Sequence, residues 1–278
     1  MSFIFSFQNL LQIFVERLIS WNGYSILFSL VFGLAPTILW LWFWLQEDDD
    51  KPEPTRMILK TFMVGGFFVI IAFCLERLVA PNANLLNSFR LTIAHQGTKT
   101  ALLALWPVLA WALIEEIVKY AAAYVAAFRK KFFDEPVDAM IYMITASLGF
   151  AAVENFLFLL STALSDGQIG NTFFFTGNLR FLGATLLHVT TSAILGAFIG
   201  FSFFKSSSIK KRYLGAGLFT ATALHSLFNF FIIVDEGKNI FSVLASLWLV
   251  ATLIIFIFEI IKKISPESKA PIPKVNKN

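Results

Sequence analysis

The chain alternates between long apolar runs and short polar interruptions. Seven runs approach the roughly 20 residues that a helix needs to cross a bilayer: 24–45, 57–79, 101–127, 138–163, 180–204, 213–234 and 240–261. None alternates with period two, so a strand barrel is not expected. No internal repeat is visible and the connections are short. The pattern predicts an all-α fold, a single polytopic membrane helix bundle of about seven spans over 24–263. The flanks differ. Phe3, Phe7, Leu10, Leu11, Phe14 and Leu18 share one helical stripe, with Asn9, Gln12, Glu16 and Arg17 mostly off it. Residues 1–23 therefore predict an amphipathic helix at the interface, with a further span as the alternative. The start lacks a basic n-region and a small-x-small site, so it does not read as a cleaved secretory signal. Residues 264–278 are polar, basic and Pro-containing and predict a disordered cytoplasmic tail.

Composition agrees. Hydrophobic residues make up 57% and charged residues 14%, with 33 Phe; soluble domains average about 45–50% and about 25%. A soluble enzyme and a secreted disulfide scaffold are excluded. The lone Cys74 rules out an intramolecular disulfide. The net charge of +4 does not point to nucleic acid, because the basic residues sit in short runs beside apolar segments. Arg129, Lys130 and Lys131 form one run, Lys205, Lys210, Lys211 and Arg212 another, and Lys262, Lys263, Lys269, Lys274 and Lys277 a third. These fall in alternate loops, which places the N-terminus outside and the C-terminus in the cytoplasm. Arg90 and Lys99, in an external loop, are the exception. The asymmetry suits a bacterial inner membrane. Trp40, Trp42 and Trp44 predict an aromatic belt, Glu47 to Asp50 a solvated loop, Asp138 an acid at a helix N-terminus near Arg129, Arg180 an interfacial anchor, and Glu259 a residue paired with Lys262 and Lys263.

Ionisable groups at mid-membrane are costly and mark function by default. Span three carries Glu115, Glu116 and Lys119, span four Glu154 with Asn155, span five His188, and span six His225 with Asn229. At about 1.5 Å per residue, Glu116, Glu154, His188 and His225 lie roughly 16, 24, 22 and 18 Å from the same side of the membrane. Four helices thus place polar groups in one layer. Glu115 and Lys119 have ion-pair spacing, with Glu116 turned about 100° away. One glutamate is expected on Lys119 while the other faces a cavity. His225 and Asn229, four apart on one face, suit an oxyanion or a polarised carbonyl. A carboxylate shielded from water is a plausible base. A Glu–Lys pair also serves to fix helix register, and a buried His is commonly a satisfied core residue; the co-planar set is what favours chemistry. There is no HExxH zinc motif, no Gly-x-Ser-Gly elbow and no mid-depth Asp for an aspartyl dyad.

At these residues the chain resembles the PrsW family of intramembrane proteases, distant relatives of the CAAX-processing and Abi membrane proteases. The family's EExxK motif is matched by Glu115-Glu116-Ile117-Val118-Lys119, its FxxxEN motif by Phe150-Ala151-Ala152-Val153-Glu154-Asn155, its isolated span histidine by His188, and its HxxxN motif by His225-Ser226-Leu227-Phe228-Asn229. Ala35-Pro36, the acidic stretch and Pro52-Glu53-Pro54 are similar to its first-loop pattern, and the resemblance runs from about residue 30 to 232. It implies proteolysis in or near the membrane, with a membrane-anchored protein, an anti-sigma factor for example, as substrate.

The expected mechanism has Glu115 or Glu116, or both, deprotonating a water with help from Glu154 or His188. His225 and Asn229 hold the oxyanion, while Lys119 and Asn155 support the set. The cofactor stays open between none and a divalent metal such as zinc, with Glu154, His188 and His225 as candidate ligands. Two other readings are a proton-coupled transporter using the same buried groups, against which no inverted repeat is visible, and an idle family member acting as a scaffold.

Overall fold

A computed structural model of the chain describes residues 23–48, 51–79, 97–166, 169–234 and 239–265. The expected N-terminal amphipathic helix up to residue 22, the loop carrying Arg90 and the tail from 266 lie outside the described residues. Within them, the apolar runs fold as α1 (Gly23–Leu45), α2 (Thr55–Val79), α3 (Gly97–Ala123), α4 (Asp138–Asp166), α5 (Asn171–Leu179), α6 (Thr185–Phe201), α7 (Ser207–Val234) and α8 (Ile240–Ile261). A π-helical turn at Tyr124–Phe128 prolongs α3, and another at Arg180–Ala184 joins α5 to α6 in one rod. Six of these rods are long and apolar enough to cross a membrane. The helix α3 has 27 residues and carries Glu115, Glu116 and Lys119. The protein is an all-α membrane helix bundle.

Two helix starts differ from expectation. The rod expected from residue 180 begins at Asn171, because Asn171, Thr172, Thr176 and Asn178 interrupt the apolar pattern without breaking the helix. Arg180 therefore lies inside the rod and is no interfacial anchor. The helix α7 begins at Ser207, so Lys210, Lys211 and Arg212 occupy its first turns and not a loop.

The bundle is built around α4. Every residue from Pro136 to Ala152 is buried, as a helix apolar all round requires. It packs against α1, α2 and α6. Close approach depends on small residues, as is usual where helices meet in a bilayer. A Cβ on Gly149 would lie 1.9 Å from the Phe62 carbonyl oxygen, and one on Gly65 would lie 2.0 Å from that of Ala146. The main core joins α1, α4, α6 and α8 through Trp44, Tyr142, Leu148, Leu186 and Phe258. Trp44 stacks on Phe258 with ring centroids 5.6 Å apart. This corrects the aromatic belt: Trp40 and Trp44, four residues apart on one face, turn inward, and only Trp42 is exposed, at 61%. Phe67, Leu249 and Phe256 are likewise exposed and give the bundle an apolar exterior.

The loop ends hold further differences. Asp48, expected in a solvated loop, is 5% exposed. The 3-10 turn Gln46–Asp48 that follows α1 brings it beside Asp138. Asp138 is buried and accepts the backbone N–H groups of Asp134 at 2.9 Å and Glu135 at 2.7 Å. Lys262 pairs with Glu259 at 2.8 Å, as expected, and with Glu47 at 2.9 Å.

Candidate functional site

The polar residues of α3, α4, α6 and α7 meet in the middle of the bundle. Glu115, Glu116, Lys119, Glu154, Asn155, His188 and His225 are all buried. The centre is Lys119, fully buried on α3. Its Nζ donates to Glu116 Oε1 at 2.7 Å and to His188 Nδ1 at 2.8 Å, and lies 3.7 Å from Glu115 Oε2. The pairing expected from four-residue spacing is thus the longer one. The three-residue neighbour Glu116 holds the ammonium, and Glu115 is the more open glutamate.

Glu116 Oε1 also takes hydrogen bonds from His225 Nδ1 at 2.7 Å and Thr191 Oγ1 at 3.0 Å. Three donors converge on one oxygen, which suits a carboxylate that stays ionised in an apolar setting. Glu115 is different. Its Oε2 is buried with no hydrogen-bond partner, 3.8 Å from both His188 Nδ1 and His225 Nε2.

Donor counting fixes both imidazoles. An ammonium only donates, so His188 Nδ1 accepts from Lys119 and its Nε2–H donates to Glu154 Oε2 at 2.8 Å. A carboxylate only accepts, so His225 Nδ1–H donates to Glu116. The Nε2 of a neutral His225 is then an acceptor. It donates only when the ring carries two protons. The two rings stand perpendicular with centroids 5.5 Å apart.

Arg180 is the residue that sequence reasoning missed. Its Nη2 donates to Glu154 Oε2 at 2.8 Å and its Nε to Asn155 Oδ1 at 2.5 Å, while its Cζ lies 4.2 Å from the Phe158 ring centroid. Asn155 Nδ2 donates to Thr185 Oγ1 at 2.9 Å, which ties α4 to α6. The π-helical turn at Arg180–Ala184 begins at this arginine; such turns often mark functional positions. The signal was an arginine beside an apolar run whose true start lay upstream. Thr191 was also passed over.

A cavity of about 290 Å³ opens beside the cluster, lined by Arg180, His188, His225 and Asn229 with apolar walls from Phe158 and Phe228. Asn229 thus stands on the same wall as His225. Among the described residues, one ligand atom each from Glu115, Glu154 and His188 lie within 4.8 Å of one another. That set fits a metal in ligand type and spacing, with the buried Glu115 Oε2 unengaged. Glu115 replaces the expected His225, whose Nδ1 is held by Glu116. In this arrangement both His188 nitrogens are engaged, Nδ1 with Lys119 and Nε2 with Glu154.

Comparison with known proteins gives a consistent answer. The sequence model described as PrsW family intramembrane metalloprotease matches residues 53–258. Protease PrsW of Geobacillus kaustophilus is 27% identical over 214 residues, 76% of this chain and 82% of that protein. Protease PrsW of Bacillus subtilis is 24% identical over 198 residues, 71% of this chain and 79% of the relative. That of Clostridioides difficile is 27% identical over 196 residues, 69% and 74% respectively. No solved structure matches the chain. With a match that covers most of its length and a buried Glu–Lys–His cluster at its centre, the chain belongs to the PrsW family of intramembrane metalloproteases.

Proposed function

We propose that this membrane protease hydrolyses a peptide bond in or next to the membrane segment of a membrane-anchored protein, with Glu115 as the base that activates water. The observation that carries this reading is that Glu115 Oε2 is buried without a hydrogen bond, 3.7 Å from Lys119 Nζ and 3.8 Å from His188 Nδ1 and His225 Nε2, whereas Glu116 is already held by three donors on Oε1. A water bound to Glu115 meets acceptors on its hydrogens and leaves its oxygen lone pair for the substrate. As that oxygen bonds to the carbonyl carbon, its proton passes to Glu115 and the C=O π pair moves onto the carbonyl oxygen. The Asn229 amide, on the wall of the adjoining cavity, donates to this oxygen. Neutral His225, its Nδ1–H held by Glu116, accepts the second hydrogen of the water at Nε2 and so orients the attack. Glu115 then gives its proton to the amide nitrogen as the C–N bond breaks. Preorganised donors of this kind act strongly where water is excluded.

Lys119 holds Glu116 and sets the His188 tautomer. Arg180 and His188 together hold Glu154, so Glu154 and Asn155 position the site and do not take the proton. Were a divalent metal such as zinc held by Glu115, Glu154 and His188, it would supply Lewis acidity to the carbonyl in place of a free Glu115 base.

The basic runs at Arg129–Lys131, Lys210–Arg212 and Lys262–Lys263 support an orientation with the C-terminus in the cytoplasm. Together with the bacterial relatives, they support a bacterial cell membrane as the location.

The test compares membranes carrying wild-type protein with membranes carrying Glu115→Gln, by sequencing new protein N-termini. Termini near membrane segments that occur only with the wild type are expected. Identical termini from both, with both proteins folded and abundant, would overturn the reading.

A further inference from the structure

A second acidic cluster lies at the end of the bundle where α1, α2 and α4 meet. It is far from the first: Asp138 and Glu154 are on one helix, and their separation corresponds to about 24 Å along its axis. Asp48, Glu53 and Asp138 each bring a ligand atom within 4.8 Å of the others. The three come from different places in the chain and are held rigidly. Asp48 ends the 3-10 turn after α1. Glu53 lies between Pro52 and Pro54, whose rings restrict the backbone, and accepts a hydrogen bond from the Tyr142 hydroxyl. Asp138 uses Oδ2 for the N–H groups of Asp134 and Glu135, and its carboxyl lies within hydrogen-bond reach of Glu53.

Compensating charge is missing from this cluster. Among the described residues no ion pair reaches any of the three carboxylates. The nearby lysines are engaged elsewhere: Lys51 with Glu135, and Lys262 with Glu47 and Glu259. Asp48 is 5% exposed, and its Oδ2 is buried with no hydrogen-bond partner. Buried anions are normally paired or coordinate a metal.

We propose that Asp48, Glu53 and Asp138 bind a hard divalent cation, Ca²⁺ or Mg²⁺. Carboxylate oxygens alone, with no imidazole or thiolate among them, select such ions over zinc. The cation fastens the turn after α1 and the entry to α2 onto the first residue of α4, the helix that carries Glu154. It is a structural clamp, separate from the Glu115, Glu154 and His188 set.

The test uses the full chain in detergent, stripped with EDTA, and Tb³⁺ as a Ca²⁺ probe excited through tryptophan. Trp44, buried in the core, stands four residues before Asp48. The wild type is expected to give a saturable Tb³⁺ signal that Ca²⁺ or Mg²⁺ displaces, the stronger competitor naming the ion. The same ion should raise the Tm of the stripped protein. Asp48→Asn and Glu53→Gln should each weaken binding by more than about tenfold, while Glu115→Gln, in the other set, leaves Tb³⁺ binding unchanged. Should Asp48→Asn fail to fold, Glu53→Gln, at a partly exposed position, carries the comparison. A wild type with no saturable signal and no change in Tm would overturn the proposal, as would binding that survives Glu53→Gln or is lost in Glu115→Gln.

Discussion

Lys119 Nζ lies 2.8 Å from His188 Nδ1, a contact in which the ammonium donates and the ring accepts. It joins α3 to α6 and places the His188 proton on Nε2, which donates to Glu154. Removing one partner from a buried ionic set leaves uncompensated charge and costs about 3–5 kcal/mol. Lys119→Met should lower stability by that order and abolish proteolysis. Lys119→Arg should not restore activity, because a planar guanidinium cannot replace a compact ammonium at a fully buried position. Thermal unfolding in detergent checks the first statement; a Met variant that melts with the wild type would contradict it.

Arg180 and Glu154 allow stability and activity to be separated. Arg180→Met alone should destabilise by about 3–5 kcal/mol, since it leaves Glu154 buried without its cation. Replacing both, as Arg180→Met with Glu154→Met, should recover much of that stability, because apolar pairs often substitute for buried ion pairs at little cost. Activity should stay lost in the double variant, as His188 then lacks its acceptor. Unfolding midpoints and cleavage rates on the same preparations give both readouts.

Helix contact makes a third prediction. Gly149 faces the Phe62 carbonyl, where a Cβ would come within 1.9 Å. Overpacking typically costs about 1–3 kcal/mol, occasionally more, and here the obstacle is backbone. Gly149→Ala should fall at or beyond the upper end of that range, whereas Gly215→Ala, where a Cβ meets nothing within 4 Å, should be near neutral. Their melting temperatures, compared side by side, test the contact.

The spans were legible because about twenty apolar residues in a row admit few alternatives in a bilayer. The layer of Glu116, Glu154, His188 and His225 was legible because charge at mid-membrane is rare enough to stand out. Which glutamate Lys119 would prefer was not. Three- and four-residue spacings both bring side chains together, and the choice is made by His225 and Thr191 arriving from α7 and α6. Arg180 was misjudged because four polar residues upstream hid the true helix start, and burial depends on that start. Asp48 and Asp138 lie 90 residues apart in a run that reads as loop and a helix N-terminus. Only the packing of α1 against α4 brings them together. Pairings between distant segments have no local sequence signature, whereas period and charge do.

The most direct test of Glu115 as the base is a rate comparison on purified protein, using a cleaved membrane substrate found by sequencing new termini. A positioned general base contributes typically 10²–10⁴-fold. Glu115→Gln keeps the shape of the side chain and removes its basicity, so its cleavage rate should fall by about that factor while its Tm stays near that of the wild type. A Glu115→Gln protein that cleaves within about tenfold of the wild type would contradict the account.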